Sequence, residues 1–236
     1  MKKIDIIKIK ILSIEILRFL KDKYKYRELE TIFNLPSPVL NRYIQGKVLP
    51  SEERAKEIIK IFEEKLLKDF VMKNIIITGK EKIFDHSELL SNIKLLEIIA
   101  KIVFNKFVDL RPTKILTKET SGISFATLVA REFSIPLLVA RERKEIGIEE
   151  FIEGKRVFPE GTYRYIYLPK KLIDKEDRIL IVDDSTRTGG TFLALSEICS
   201  KANAQLVGAF FIIAIRETLR NLKKKFKIPF YTLVTL

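Results

Sequence analysis

The sequence has little of what a disulfide-bonded, metal-binding or membrane-spanning protein needs. Its 236 residues include one cysteine, Cys199, and one histidine, His86. A single cysteine excludes an internal disulfide framework and fits a reducing compartment. The histidine has no cysteine or carboxylate at ligand spacing, which argues against a metal site. Charged residues such as Asp5, Lys8 and Lys10 interrupt the apolar start of the chain. Neither a signal sequence nor a membrane span is therefore expected, and we expect a cytoplasmic protein.

Two common nucleotide-binding motifs are also absent. No GK[ST] follows a glycine-rich loop and no GxGxxG is present, so the chain has neither a Walker loop nor a dinucleotide fingerprint. Acidic residues are few beside basic ones, 31 against 44, which gives a formal net charge of +13. This excess favours polyanions, nucleotides or an acidic surface as partners. A lysine-rich proteome would produce the same composition, so the charge alone does not identify the partner.

From residue 75 onward, predicted strands alternate with predicted helices. The strand segments are KILTKE, PLLVARE, TYRYIYLP, RILIVDD, LVGAFFIIAI and FYTLVTL. Most are rich in isoleucine, valine and leucine without polar alternation, and helices of ten or more residues separate several of them. This pattern predicts an α/β domain, residues 75–236, with a mostly parallel sheet flanked by helices. A long polar stretch from Lys144 to Thr162 is predicted to be a mobile loop.

The segment ILIVDDSTRTGGTFLAL, Ile179–Leu195, carries the chemistry. Its apolar residues predict a buried strand that delivers Asp183 and Asp184 to its carboxyl end, where ligands bind in open α/β sheets. The glycines that follow let the backbone approach an anion, and a helix is expected to begin near Thr191. Amides of residues 187–191 then suit a phosphate group. The two carboxylates suit the vicinal hydroxyls of a ribose.

The same residues resemble the phosphoribosyl-pyrophosphate (PRPP) signature of type I phosphoribosyltransferases, and the resemblance covers about residues 75–236. It implies that PRPP or a nucleotide is bound by Asp183, Asp184, Ser185, Thr186, Arg187, Thr188, Gly189, Gly190 and Thr191. In this family the loop after the first core strand and an Arg-Lys pair after the next one hold pyrophosphate. The corresponding residues are Lys118, Glu119, Thr120, Ser121, Gly122, Arg143 and Lys144. Mg²⁺ carried with PRPP, without a direct protein ligand, is the cofactor that the resemblance implies.

The first 70 residues predict a small all-α unit. Within it, RELETIFNLPSPVLNRYIQGKVLPS resembles a helix-turn-helix of the Cro/repressor type, with Ser37 expected as a helix cap. The resemblance implies a DNA-binding domain, residues 1–70, and double-stranded operator DNA as a partner. The side chains assigned to DNA are Ser37, Asn41, Arg42, Tyr43, Gln45 and Lys47. Such side chains suit base edges and phosphates. The alternative is a helical cap that only dimerises the second domain.

One departure from the family pattern decides the functional prediction. Orotate-type enzymes carry a further lysine on a mobile loop after the Arg-Lys pair, whereas KEIGIEEFIEGKRVF has acids there, and Lys155 and Arg156 come later. Turnover needs groups that stabilise charge developing in the transition state, so the departure weighs against catalysis more than against binding.

We therefore predict a homodimeric, DNA-binding transcription regulator. Its phosphoribosyltransferase-like domain would sense PRPP or a ribose-5′-phosphate nucleotide, as in similar regulators of archaea and with the logic of the bacterial purine repressor. One alternative is an active purine or pyrimidine phosphoribosyltransferase that transfers phosphoribosyl from PRPP to a nucleobase. Another is a nucleotide-binding scaffold without DNA.

Overall fold

The structure is a computed structural model that describes residues 3–79, 83–158 and 160–236. The chain divides into two units, one of Met1–Ile76 with Phe84–Lys101 and the other of Ile77–Ile83 with Ile102–Leu236. Two ion pairs join the later segment of the first unit to its N-terminal helix region. Lys101 pairs with Glu15 at 2.5 Å and Lys94 with Asp22 at 3.4 Å. The domain bounds 1–70 and 75–236 stay a prediction.

Helices build the first unit. They are α1 (Lys3–Lys21), α2 (Tyr26–Phe33), α3 (Ser37–Ile44) and α4 (Glu52–Phe62). Each contributes a fully buried side chain to the unit's interior, namely Leu17, Leu29, Leu40 and Ile58. The turn between α2 and α3 uses Asn34 in the left-handed conformation, which asparagine tolerates. Ser37 is the first residue of α3 and not its cap, because Pro36 holds the cap position.

Helical structure continues past the end of α4. A π-helical segment, Glu63–Leu67, joins α4 to α5 (Lys68–Lys73), where Phe70 and Val71 are buried. The sequence predicts a connector or first strand over residues 69–82, but residues 69–73 are helical, because Phe70 and Val71 pack into the interior. Two short strands, β1 (Ile76–Thr78) and β2 (Ile83–Asp85), form a sheet of their own and are followed by α6 (Ser87–Ser91) and α7 (Ile93–Phe107).

The second unit contains the parallel sheet that the sequence predicts. Its strands and helices are β3 (Lys114–Lys118), α8 (Gly122–Phe133), β4 (Leu137–Ala140), β5 (Phe151–Val157), β6 (Tyr163–Pro169), β7 (Arg178–Thr186), α9 (Gly190–Lys201), β8 (Gln205–Ala214), α10 (Arg216–Lys225) and β9 (Phe230–Thr235). Five strands pair in the order β4-β3-β7-β8-β9, all parallel. The carboxyl end of β7 thus lies in the middle of the sheet edge. No helix among the described residues has the length and apolarity to cross a bilayer.

The predicted mobile loop is wrong for just over a third of its length. Phe151–Val157 forms β5, which pairs antiparallel with β6 outside the main sheet. We call these two strands the β5–β6 hairpin. It packs against α9, where Gly154 lies so close that a Cβ atom there would stand 2.1 Å from the carbonyl oxygen of Ala194. Lys155 also donates its backbone N–H to Glu197 at 2.9 Å.

Candidate functional site

Two buried carboxylates stand at the end of the central strand. Asp183 is 8% exposed and Asp184 is 3% exposed, and the backbone N–H of Asp184 donates to the Asp183 carboxylate at 3.1 Å. Burial and the charge of Asp184 raise the pKa of Asp183 well above its ordinary value, while the charge of Lys118 opposes the rise. The pair therefore holds its negative charge at a cost in folding free energy, which ligand hydroxyls or cations could offset.

The loop after β3 faces this acidic pair. The hydroxyl of Ser121 donates to Asp184 at 3.1 Å. Gly122 begins α8 with no room for a side chain, because a Cβ atom there would lie 2.2 Å from an Asp183 oxygen and 2.7 Å from the Thr117 hydroxyl. The Thr117 hydroxyl is buried and has no hydrogen-bond partner among the described residues. The structure thus brings the predicted pyrophosphate loop directly against the predicted ribose-binding carboxylates.

The loop after β7 leads into the first turn of α9. Gly189 has φ +81°, a conformation that favours glycine, and α9 begins at the next residue. The first amides of a helix lack intrahelical partners and attract anions. Phe192 anchors this turn, because its ring is fully buried. Its ring centroid lies 5.0 Å from that of Phe226 and 5.1 Å from that of Phe230. The Thr218 hydroxyl of α10 also donates to the Arg187 carbonyl at 2.5 Å. The loop is held in place from two directions.

The end of the β5–β6 hairpin lies beside this loop. A Cβ atom on Gly190 would stand 2.9 Å from the carbonyl oxygen of Val157 and 3.5 Å from Cγ of Arg156. Arg156 and Arg164 are register partners on the hairpin. The hairpin therefore brings arginine to the loop that the sequence assigns to PRPP.

A carboxylate that the sequence analysis did not single out connects these cations to the pyrophosphate loop. Glu142 pairs with Lys118 at 2.6 Å, with Arg156 at 3.9 Å and with Arg164 at 4.0 Å. Its backbone N–H donates to the Glu119 carboxylate at 2.6 Å. The hydrogen bond from Lys118 lowers the pKa of Glu142, and the charges of the three cations act in the same direction. We call Lys118, Arg156 and Arg164 the cation trio.

The two cations predicted after β4 are placed differently. Arg143 is exposed. The ammonium of Lys144 lies over the rings of Tyr167 and Phe151, at 5.1 and 5.8 Å from their centroids. Lys144 therefore packs on aromatic rings of the β5–β6 hairpin, whereas Glu142 forms ion pairs with the cation trio. Alternation along the hairpin could have revealed Arg156 and Arg164, because Gly154 and Arg156 share a face with their register partners.

A known protein family matches the part of the chain that contains this site. The phosphoribosyl transferase domain family matches residues 83–231, which is more than half of the chain. The chain belongs to this family. The resemblance that the PRPP signature carried is therefore confirmed, and residues Asp183–Thr191 lie inside the matched phosphoribosyltransferase region.

Similar sequences and structures agree with this assignment. A xanthine phosphoribosyltransferase of Geobacillus thermodenitrificans is 37% identical over 105 residues, which cover 44% of this chain and 54% of that protein. A xanthine phosphoribosyltransferase of Streptococcus pyogenes is 32% identical over 122 residues, 51% of this chain and 63% of that protein. The chain thus matches less than two thirds of the length of these relatives.

Solved structures of adenine phosphoribosyltransferases share the fold. The enzyme of Rhodothermus marinus superposes with a TM-score of 0.64 at 19% identity, covering 72% of this chain and 98% of its own. That of Trypanosoma brucei, solved with AMP, pyrophosphate and ribose-5-phosphate, gives 0.65 at 19% identity, covering 73% and 80%. The predicted type I phosphoribosyltransferase fold, a mostly parallel sheet flanked by helices, is confirmed.

The predicted transcription regulator is wrong. The similar proteins are named xanthine and adenine phosphoribosyltransferases, and none of the comparisons supports a helix-turn-helix or a DNA-binding regulator. The structure does form two short helices around a tight turn. However, the Tyr26 hydroxyl of α2 donates to the Asn41 side chain at 2.9 Å, so this polar group of α3 takes part in packing of the unit. Polar residues at helix spacing fitted both a DNA-reading helix and a packed one.

Proposed function

We propose that the chain is a nucleobase phosphoribosyltransferase, which transfers the phosphoribosyl group of PRPP to a purine base. The observation that carries the proposal is the meeting of three segments around the buried carboxylates. Ser121 of the first loop bonds Asp184, the phosphate-type loop follows Asp184 directly, and Arg156 of the hairpin adjoins Gly190. These segments provide an acidic pair, a helix amino terminus and cations within one site.

Each group has a task in the transfer. The helix amino terminus at residues 187–191 binds the 5′-phosphate, and Asp183 with Asp184 accepts hydrogen bonds from the ribose hydroxyls. The bond between C1 of the ribose and pyrophosphate breaks, and a bond from C1 to a base nitrogen forms. Negative charge then grows on the leaving pyrophosphate. Lys118 and Arg156 stabilise that charge, a role for which the sequence analysis found no lysine in the loop after β4.

Magnesium fits this site as a companion of the substrate. Mg²⁺ prefers oxygen ligands and usually keeps several waters while binding carboxylates and substrate phosphates. Asp183 and Asp184 offer such oxygens, and their mutual repulsion would be relieved by a cation. The described residues contain no group of three or more metal-ligating side chains, so no all-protein cage is formed there. The ion would neutralise pyrophosphate charge when it binds with PRPP.

A transfer assay tests the proposal. The protein is mixed with PRPP and Mg²⁺ and with xanthine, guanine, hypoxanthine, adenine, uracil or orotate in turn, and pyrophosphate release and nucleotide formation are both measured. We expect turnover with a purine, and xanthine is the first candidate because the similar sequences are named for it. Asp184→Asn is expected to reduce turnover at least tenfold. The proposal fails if PRPP binds but no base yields a nucleotide. The predicted homodimer is tested on the same sample by light scattering.

A further inference from the structure

The cation trio already has an anion. Glu142 presents one carboxylate oxygen to Lys118 and Arg156 and the other to Arg164, at 2.6, 3.9 and 4.0 Å. The three cations come from β3, β5 and β6, and Glu142 pairs with all of them. Its side chain is 36% exposed, so solvent and a ligand can reach it. A carboxylate surrounded by three cations, beside a loop suited to pyrophosphate, occupies the charges that a pyrophosphate would use.

Competition follows from this arrangement. Charge-assisted hydrogen bonds are the strong ones, and a phosphate offers more acceptor oxygens than a carboxylate. A pyrophosphate that approaches the cation trio must share it with Glu142 or displace Glu142 into solvent. Either event costs part of the binding energy, since an anion is removed from its partners or left beside a second anion. This cost in binding energy applies to PRPP and to free pyrophosphate alike. It is largest for the molecule whose pyrophosphate group carries more negative charge.

We propose that Glu142 is a specificity-determining and positioning residue that stands in for pyrophosphate in the free enzyme and weakens the retention of pyrophosphate. This inference rests on the proposed function. The carboxylate keeps Lys118, Arg156 and Arg164 gathered when no ligand is bound. It then competes with the product, which speeds the release of pyrophosphate after each transfer.

A purely structural role of Glu142 predicts the opposite change in pyrophosphate affinity. If Glu142 only braced the hairpin against β3, removing its charge would loosen the cation trio and weaken pyrophosphate binding. If Glu142 competes, removing its charge strengthens pyrophosphate binding, because damage to a site does not raise its affinity. The sign of the change therefore separates the two roles.

The test is pyrophosphate binding to the full chain, measured by calorimetry with Mg²⁺ present, for wild type, Glu142→Gln and Glu145→Gln. Glutamine keeps the size of the side chain and its acceptor oxygen for Lys118. Glu145→Gln changes the net charge equally, but Glu145 pairs with Arg141 and not with the cation trio. We expect Glu142→Gln to bind pyrophosphate at least tenfold more tightly and Glu145→Gln to stay within about twofold of wild type. Turnover of Glu142→Gln should show a lower KM for PRPP together with a lower kcat.

Other outcomes overturn the inference. Unchanged or weaker pyrophosphate binding by Glu142→Gln removes the competitive role, and if wild type still transfers phosphoribosyl groups, the proposed function survives. If neither protein binds pyrophosphate or transfers a phosphoribosyl group to a base, both proposals fall. Should Glu142→Gln not fold, Glu142→Asp replaces it. The shorter carboxylate draws back from both arginines, so we expect tighter pyrophosphate binding there too, and the same or weaker binding overturns the inference.

Discussion

Asp183 shows how one side chain links stability to ligand binding. Burial and the neighbouring Asp184 carboxylate raise its pKa well above the ordinary value of 3.8. The folded protein thus holds this proton to a higher pH than the unfolded chain does. As pH rises from the ordinary value towards the raised one, the unfolded chain gains a charge that the folded protein resists, and stability is lost. Below the ordinary pKa both states are protonated and nothing is lost.

The first prediction follows from this loss of stability with rising pH. Without ligand, Asp183→Asn is expected to be more stable than wild type by about 1 kcal/mol or more at pH 8, with the difference shrinking towards zero near pH 4. Urea unfolding at several pH values measures it. Glu176→Gln is the control, since Glu176 is exposed and makes only a 4.0 Å pair with Lys175. A difference that does not vary with pH would show that folding does not raise the pKa of Asp183.

The second prediction concerns the space at Gly122. Alanine there would place its Cβ atom 2.2 Å from the Asp183 carboxylate, so the carboxylate must move. We expect Gly122→Ala to lose at least tenfold in PRPP affinity and about 1–3 kcal/mol in stability. Gly208→Ala is the matched control, because its Cβ atom would meet the Phe107 ring at 2.6 Å in the core. Gly208→Ala should lose stability without losing PRPP affinity, whereas equal losses of affinity in both would attribute the effect to unfolding.

At the scale of elements, the sequence predicts the sheet well and the hairpin poorly. Strands such as Ile179–Val182 are apolar because both faces of a parallel sheet are covered, so their composition alone identifies them. β5 reads FIEGKRV, and its polar residues and glycine gave no strand pattern. That segment is extended because β6 pairs with it and because Gly154 lets α9 approach its backbone. Contacts between distant segments determine β5, and with it the position of Arg156.

The third prediction tests the packing of the β5–β6 hairpin against α9. A Cβ atom on Gly154 would stand 2.1 Å from the Ala194 carbonyl, so Gly154→Ala must push β5 away from α9. Arg156 and Arg164 would move with it. We expect turnover to fall at least tenfold and amides of β5 to exchange faster. Gly161→Asn is the control, since Gly161 has φ +85° in open space and asparagine tolerates that conformation. Unchanged exchange in Gly154→Ala would mean that the hairpin does not rest on α9.

The fourth prediction compares the cations of two elements. Arg156 and Arg164 belong to the cation trio, whereas Lys144 lies over aromatic rings of the hairpin. Losing a charged hydrogen bond costs about 1.5–3 kcal/mol, so Arg156→Gln and Arg164→Gln should each weaken PRPP binding about tenfold or more. Lys144→Gln should change the affinity only about twofold. A larger loss for Lys144→Gln would restore the assignment that its sequence position first indicated.

At the scale of the whole molecule, the sequence identified the transferase fold but not the function. Residues 183–191 are consecutive, so their pattern is visible in one stretch of chain. The cations that we propose to act in the transfer are Lys118, Arg156 and Arg164, which lie far apart in sequence and come together only on folding. The acids in the loop after β4, where the family pattern has a further lysine, led the sequence analysis to a ligand sensor, and the resemblance to a helix-turn-helix then led it to a regulator. The error arose where function depends on side chains far apart in sequence.

The last prediction concerns how far ligand binding stabilises the chain. Each unit has its own buried residues, for example Leu40 in the first and Ile181 in the second, and every residue proposed to hold PRPP belongs to the second. At a concentration one hundred times its Kd, a ligand stabilises the unit that binds it by about 2.7 kcal/mol. We expect Mg²⁺ and PRPP to slow the exchange of core amides in β7 and β8 about 100-fold, and those of α3 and α4 much less.

Hydrogen exchange followed by mass spectrometry makes the comparison on the intact chain. Asp184→Asn is the control, because weakened PRPP binding should remove the added protection of β7 and β8 without changing exchange in the first unit. The helix α7 contributes residues to both units, Ile93–Lys101 to the first and Ile102–Phe107 to the second. If that shared helix made the whole chain unfold together, PRPP would protect α3 and α4 as strongly as β7, and the two units would be one cooperative structure.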